Sequence, residues 1–195
     1  MLGAANYLVA LGCSVIPVNP DKTPNVPSWK PFQKKILEGF QINEMFAKGT
    51  WGIAIIAGKV SGNLETIDVD SKYDITGSMH DEFVSSIKEQ APGLYEKLLV
   101  QKTKNGGYHY PYRCEIIERS LKLASRPTTE EERAKNPKEK VKVLFETRGE
   151  GGYFICTPTD GYEVIQGSFK NIPELTPAER DVLFIIAHSF DQCPN

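Results

Sequence analysis

The sequence has few of the features that mark a secreted or zinc-bound protein. None of its cysteines forms a Cys-x-x-Cys pair, and all four lie far apart in the chain: Cys13, Cys114, Cys156 and Cys193. This spacing argues against a zinc knuckle and against a disulfide framework, and it favours a reduced cytoplasmic setting. The apolar stretch over residues 1–18 lacks a basic leading segment and is interrupted by polar and helix-ending residues, so it predicts a buried helix and a strand. No other segment is long and apolar enough to predict a membrane span.

A strong charge of either sign is also missing. The formal net charge is -2 over 195 residues, so a nucleic-acid partner would have to be held by a local basic groove. With 40% hydrophobic and 25% charged residues, the composition is that of a globular protein. The length allows one sizeable core or two small lobes that share an interface.

The order of the predicted elements indicates an α+β protein with a mostly antiparallel sheet. We expect a single domain in which residues 1–50 contribute to a small N-terminal lobe and residues 51–175 form the core. A capped helix is predicted to close the chain over 176–191. The stretch 125–140 is almost purely polar and charged, which predicts an exposed loop.

Two aspartates at the end of one predicted strand carry the most information. Residues two apart on a strand face the same side, so Asp68 and Asp70 should project together while Ile67 and Val69 enter the core. Two adjacent carboxylates repel each other and lose solvation, and a divalent cation such as Mg²⁺ or Mn²⁺ would offset both effects. The alternative is a strand end that reaches solvent with two ordinary surface aspartates.

A third acid follows another predicted strand. Glu146 ends a β-rich run and is followed by Arg148 and a glycine-rich turn. If the two strands are neighbours, this carboxylate could complete a metal site, and the arginine offers a bidentate fork for phosphate. The alternative is a glycine-rich hairpin with a surface ion pair.

A glycine pair precedes a third predicted strand. Gly106 and Gly107 resemble a phosphate-contacting loop, with His109 as a donor just inside the strand and Lys104 beside it. A lone histidine among tyrosines is more often a packed sheet residue. Lys22, Trp29 and Lys30, in a proline-rich loop, combine charge with a stacking surface suited to single-stranded DNA. Trp29 is equally well explained as a packing residue between lobes.

Taken together, these segments resemble the bifunctional primase-polymerase branch of the archaeo-eukaryotic primase superfamily, found in plasmid and phage replication proteins. Three motifs carry the resemblance in the family's order: Asp-Val-Asp at 68–70, Gly-Gly-Tyr-His at 106–109, and Glu-Thr-Arg-Gly-Glu-Gly-Gly at 146–152. The entry segment at 11–18 and the Thr-Pro-Ala-Glu-Arg helix start at 176–180 also fit. The resemblance implies an RRM-like, mostly antiparallel catalytic sheet with flanking helices and a smaller N-terminal αβ lobe.

The resemblance also implies a function: a DNA primase and template-dependent DNA polymerase using NTPs or dNTPs. Two Mg²⁺ or Mn²⁺ ions, and no zinc, are expected at Asp68, Asp70 and Glu146. Nucleotide contacts are expected from His109 and Arg148, and further phosphate contacts from Lys104, Gly106 and Gly107. Expected partners are a single-stranded DNA template, a primer and a helicase domain or protein, without a membrane and in the cytoplasm of the cell or host.

Two other functions use the same residues. A metal-dependent nuclease or phosphohydrolase could employ the acids with water as nucleophile. A non-catalytic module could bind single-stranded DNA in replication without any reaction.

Overall fold

The computed structural model describes residues 1–46 and 49–193. The strands found in this part of the chain are β1 (Ser14–Val18), β2 (Gly52–Ile56), β3 (Leu64–Val69), β4 (Val100–Lys102), β5 (Tyr108–Cys114), β6 (Lys122–Pro127), β7 (Val141–Arg148), β8 (Tyr153–Cys156), β9 (Glu163–Gln166) and β10 (Glu174–Leu175). The α-helices are α1 (Leu2–Ala10), α2 (Gly39–Met45), α3 (Met79–Gln90), α4 (Leu94–Lys97), α5 (Glu130–Lys135) and α6 (Pro177–His188).

The strands form two sheets. The larger has the order β6-β7-β3-β5-β4-β9, with β10 added beside β5, and the smaller has the order β1-β2-β8. Every pairing is antiparallel except that of β10 with β5. The predicted α+β class with mostly antiparallel sheets is therefore confirmed.

Side-chain alternation along β3 explains how the larger sheet is covered. Ile67 and Val69 are fully buried in a core that includes Phe83 of α3 and Leu183 of α6. These helices cover one face of the sheet because β3 presents its apolar residues there. Asp68 therefore points to the opposite face, away from the helices.

The smaller sheet is buried on both faces. All five residues of β1 and all five of β2 are buried. One face packs under α1 and α2, and the other contacts aromatic residues that include Trp29 and Tyr162. The sheet draws β2 and β8 from the expected core region, so its strands are not confined to residues 1–50. Since β8 directly follows the turn after β7, the two sheets are joined next to the acidic strand ends.

The final helix begins as its sequence indicates. Thr176 accepts a hydrogen bond from the Glu179 backbone N–H at 3.2 Å, and the Glu179 carboxylate accepts one from the Thr176 N–H at 2.7 Å. This reciprocal cap satisfies backbone donors that have no partner within the helix. Pro177 occupies the first turn, and the helix ends at His188 rather than 191.

The prediction of an exposed loop over 125–140 is wrong in part. Ser125–Pro127 completes strand β6, and residues 130–135 form the capped helix α5. The side chain of Arg126 is only 5% exposed and binds the Glu132 carboxylate through two nitrogens, both at 2.8 Å. This bidentate pair orders a segment whose composition alone suggested a loop.

No helix within residues 1–46 and 49–193 is long and apolar enough to cross a membrane.

Candidate active site

One row of side chains crosses the centre of the larger sheet. Strand β3 lies between β7 and β5, and the register sets Asp68 directly opposite Glu146 on one side and His109 on the other. Residues directly opposite each other in antiparallel strands project from the same face of a sheet. Asp68 lies 41 positions from His109 and 78 from Glu146 in sequence, yet it is the neighbour of both on the face away from the helices.

Arg148 connects the two acids of this row. One of its guanidinium nitrogens, Nη2, contacts the Glu146 carboxylate and lies 3.5 Å from Oδ2 of Asp68. On the other side of Asp68, its Oδ1 lies 3.6 Å from Nε2 of His109. Asp70 follows the end of β3 and forms an ion pair with Lys72 at 3.1 Å. Each of the three acids thus lies next to the cationic side chain of Arg148 or Lys72.

A cavity of about 400 Å³ opens over this row. Asp68, Asp70, His109 and Arg148 form the side contributed by the larger sheet. The opposite side comes from β8 and the loop after β1, and includes Tyr153, Phe154, Lys22 and Trp29. The cavity therefore lies between the two sheets, and its polar residues are concentrated on one side.

Burial shifts the protonation equilibria of the site. Burial, reinforced by the Asp70 charge, raises the pKa of Asp68 to about 6. Burial also raises the pKa of Glu146, although Arg148 opposes the shift. The pKa of His109 falls to about 3 because the ring is buried and because Arg148 and Lys22 repel a positive charge. The histidine is therefore neutral at physiological pH, while Asp68 is a carboxylate poorly compensated for its loss of water.

Carboxylate oxygens from Asp68, Asp70 and Glu146 have the chemistry that Mg²⁺ or Mn²⁺ prefers. The incompletely compensated charge of Asp68 is the observation that fits a cation, because nearby positive charge would offset it. Within residues 1–46 and 49–193, no three His, Cys, Asp or Glu side chains already form a metal-binding group. Arg148 lies between Asp68 and Glu146, so the third carboxylate is engaged by a guanidinium.

The glycine pair has two different roles. Gly106 adopts a left-handed conformation with φ at +80°, which favours glycine. At Gly107, a Cβ atom would collide with the carbonyl oxygen of Val69. The lack of a side chain at Gly107 thus lets the start of β5 approach the end of β3 closely, beside Asp70.

Five of the predicted site residues lie outside the cavity lining: Glu146, Lys104, Gly106, Gly107 and Lys30. The ammonium of Lys104 lies 5.1 Å from the ring centroid of Trp51 and 3.4 Å from Asp160, and Gly106 lines a separate surface depression. Lys30 is exposed beside the loop that carries Trp29. The neighbours of Lys104, Thr103 and Asn105, line the cavity instead.

Trp29 both packs and lines the cavity. Its ring meets Tyr153 edge-on with the centroids 5.8 Å apart. Its buried Nε1 has no hydrogen-bond partner in the part of the chain that the structure describes. Both interpretations offered by the sequence therefore apply to the same side chain.

Sequence reasoning missed several residues of the cavity lining, among them Tyr162 and Lys72. Tyr162 lies with its ring centroid 6.1 Å from that of His109, and burial next to Asp68 raises its pKa to about 12. No motif surrounds Tyr162, so no local signal could have identified it. Lys72, in contrast, lies two residues after Asp70, a spacing that could have suggested a counterion.

Comparison with known protein families gives a match over most of the chain. The family described as bifunctional DNA primase/polymerase, N-terminal, matches residues 4–179. No curated protein matches the chain. The matched range contains every residue of the cross-strand row and of the cavity lining described above.

Proposed function

Because the chain belongs to the bifunctional DNA primase/polymerase family, we propose that it extends or initiates a DNA strand on a single-stranded template. The family implies a primase or polymerase, and hence nucleotidyl transfer, in general. In the reaction proposed, a primer 3′-hydroxyl or a first nucleotide attacks the α-phosphate of an incoming NTP or dNTP. The observation that carries the proposal is the row Glu146–Asp68–His109 beneath a cavity between two sheets.

Asp68, Asp70 and Glu146 are the residues that would hold divalent ions, two in this proposal. Bound Mg²⁺ or Mn²⁺ would supply charge stabilisation for phosphoryl chemistry. The chain's own contribution is a rigid placement: Asp68 and Glu146 project from paired strands rather than from loops. Arg148 would have to release Glu146 as the ions bind, since its guanidinium now contacts that carboxylate.

His109 and Arg148 are suited to the triphosphate. His109 sits at the inner wall of the cavity and Arg148 at its more open side, with side chains 7% and 36% exposed. Hydrogen-bond donors placed in advance around phosphate oxygens stabilise the charge that shifts during transfer. Lys72 and Lys22 also line the cavity and add positive charge to it. A protein of net charge -2 thus concentrates cations where a nucleotide would bind.

The template strand is assigned to the wall opposite the acids. Lys22 and Trp29 line the cavity there, and Lys30 continues the positive charge onto the adjacent surface. An aromatic ring together with lysines suits a single strand whose bases are unpaired. On the strength of the family resemblance, we further propose that the reaction serves plasmid or phage replication, in the cytoplasm and alongside a helicase.

A primer-extension assay with Mg²⁺ or Mn²⁺ tests the proposal. The wild-type chain should lengthen a labelled primer on a single-stranded template, and Asp68→Asn and Glu146→Gln should each lower the rate by about 10²-fold or more. Asp181→Asn is a matched control, because this acid is exposed on α6 and far from the row. A separate reaction on an unprimed template tests initiation.

Other outcomes identify the competing functions. Shortening of the primer would indicate a metal-dependent nuclease. Equal DNA binding with and without divalent metal, together with no incorporation, would indicate a binding module. Undiminished extension by folded Asp68→Asn would overturn the assignment of the site.

A further inference from the structure

The cross-strand row continues one strand beyond His109. Strand β4 pairs with β5, and the register sets Gln101 directly opposite His109. Gln101 is fully buried, behind the histidine as seen from the cavity. It belongs to no sequence motif, and the function proposed above does not account for it.

Main-chain groups determine the orientation of the Gln101 amide. Its Oε1 accepts a hydrogen bond from the backbone N–H of Thr157 at 2.7 Å, and its Nε2 donates one to the backbone carbonyl of Ile155 at 3.0 Å. A backbone N–H can only donate and a backbone carbonyl can only accept. The opposite orientation of the amide would lose both bonds, so the positions of oxygen and nitrogen are set.

The second hydrogen of this amide is directed at His109. Nε2 of Gln101 lies 3.1 Å from Nδ1 of the imidazole. Since the amide nitrogen is a donor, Nδ1 has to be the acceptor, and the imidazole proton has to be on Nε2. A proton on Nδ1 would face the amide hydrogen, and the other acceptor beside it, the Ile155 carbonyl, already accepts a hydrogen bond from the same amide.

We propose that Gln101 is a positioning residue that holds His109 as the Nε2–H tautomer, so that the imidazole donates a hydrogen bond into the cavity. Nε2 is the ring nitrogen on the Asp68 side, 3.6 Å from that carboxylate. A triphosphate offers only acceptor oxygens there, so only this tautomer of a neutral histidine can bond to it. The assignment of the triphosphate as acceptor rests on the function proposed above; the tautomer does not.

The same amide also connects the two sheets. Gln101 belongs to the larger sheet, whereas Ile155 lies on β8 of the smaller sheet and Thr157 follows that strand. The tautomer of His109 therefore depends on β8 remaining in place against β4. A purely structural amide would join the sheets in the same way but would not control the imidazole, and this difference can be measured.

Two-bond ¹H–¹⁵N correlation spectra of the full chain, without metal or nucleotide, test the tautomer directly. The chain has three histidines, and His109→Gln identifies the signals of His109. The wild-type protein should show a protonated Nε2 and an unprotonated Nδ1. Gln101→Glu should reverse this pattern, because a carboxylate oxygen accepts a hydrogen bond from Nδ1–H and so favours that tautomer. Gln101→Leu should remove the strong preference.

Gln166→Leu is the matched control. Gln166 also donates two side-chain hydrogen bonds to main-chain carbonyls, those of Tyr95 at 2.7 Å and Leu98 at 2.9 Å, but it lies on β9 away from the imidazole. Its loss should weaken packing to a similar degree and leave the His109 spectrum unchanged. A wild-type spectrum with the proton on Nδ1 would overturn the proposal even if no Gln101 variant folded. An unchanged spectrum in folded Gln101→Leu would overturn it too.

Binding of a dNTP in the presence of Mn²⁺ tests the consequence. Gln101→Leu should weaken binding about 10-fold relative to Gln166→Leu, and it should have little further effect in a chain that already carries His109→Ala. A changed tautomer with unchanged dNTP binding would leave the role of Gln101 intact. That outcome would instead remove His109 from the nucleotide contacts of the proposed function.

Discussion

Strand β3 carries two buried acids on its two faces, and their surroundings differ. On the helix-covered face, Glu65 is fully buried and accepts hydrogen bonds from Arg180 Nε at 2.7 Å and from the Tyr112 hydroxyl at 2.6 Å. On the cavity face, Asp68 is 14% exposed and has the guanidinium of Arg148 at 3.5 Å and the neutral imidazole of His109 at 3.6 Å. Glu65 therefore forms short hydrogen bonds, whereas the nitrogen atoms nearest to Asp68 are at longer distances.

The difference distinguishes a carboxylate with a complete set of partners from one whose partners are incomplete. Glu65 has its counterion and hydrogen bonds within the fold, so its charge is compensated in place. Asp68 lost water without an equivalent replacement, and its pKa rises to about 6. Both acids are largely removed from water, so low exposure alone does not explain the difference. The completeness of their partners shows which one is available to a ligand.

The largest expected effect comes from removing Arg180, the buried counterion of Glu65. Arg180→Leu leaves the Glu65 charge buried beside Tyr112, and the free energy of unfolding should fall by about 3–5 kcal/mol. Urea denaturation measures this loss. Lys97→Ala is the control, since Lys97 of α4 forms a partly exposed ion pair with Glu179, the neighbour of Arg180 on α6, worth at most about 1 kcal/mol. Equal small losses in both variants would contradict the structural role of Glu65.

A smaller effect of the opposite sign is expected at Asp68. Its pKa in the folded protein, about 6, lies above the ordinary value, so folding disfavours the charged form. The resulting loss of stability is absent below about pH 4 and complete above about pH 6, where it reaches at most about 3 kcal/mol. Without metal, Asp68→Asn should therefore be more stable than the wild type at pH 8 and similar to it at pH 4.

The difference in unfolding free energy between the wild type and Asp68→Asn isolates the contribution of the Asp68 charge. Burial lowers the pKa of His109 to about 3 and that of His80 to about 4, so both histidines disfavour the folded state as the pH falls below their ordinary pKa. They do so in wild type and variant alike. Urea curves recorded with a chelator at pH 4 and pH 8 give the comparison. An Asp68→Asn chain less stable than wild type at pH 8 would show that Asp68 is as well compensated as Glu65.

The smallest expected effect is stabilisation by metal alone. At Mn²⁺ concentrations ten times the dissociation constant, the folded protein should gain about 1.4 kcal/mol, seen as a higher melting temperature. Asp68→Asn should lose this gain, whereas Arg148→Ala should keep or increase it, because the guanidinium no longer competes for Glu146. A gain that persists in Asp68→Asn would place the metal elsewhere.

Local patterns predict the elements of the site well. Alternation over residues 64–70 places Asp68 on a strand with its side chain opposite to the apolar residues, and the structure has that strand as β3. The cap at Thr176 is equally local and starts α6 as expected. The loop prediction for 125–140 is wrong in part because a contact between residues orders this segment. Arg126 and Glu132 form that pair, and composition does not reveal it.

Nucleotide contacts predicted from adjacency to a motif are less secure. Lys104 lies next to the glycine pair in sequence, yet its ammonium is directed towards Trp51 and Asp160. Tyr162 and Gln101 lie outside every motif. Tyr162 directly precedes β9, and Gln101 lies on β4. Their contribution depends on how two sheets pack, and no short stretch of sequence carries that information.

The sequence by itself determined the family, the α+β class and the strands that carry Asp68, Glu146 and His109, because alternation and motifs are properties of neighbouring residues. Only the tertiary structure decided that these residues share one row, that Arg148 lies between two of them and that Gln101 stands behind the third. Strand order and register arise from pairing between segments far apart in the chain, and the packing of the whole core selects them.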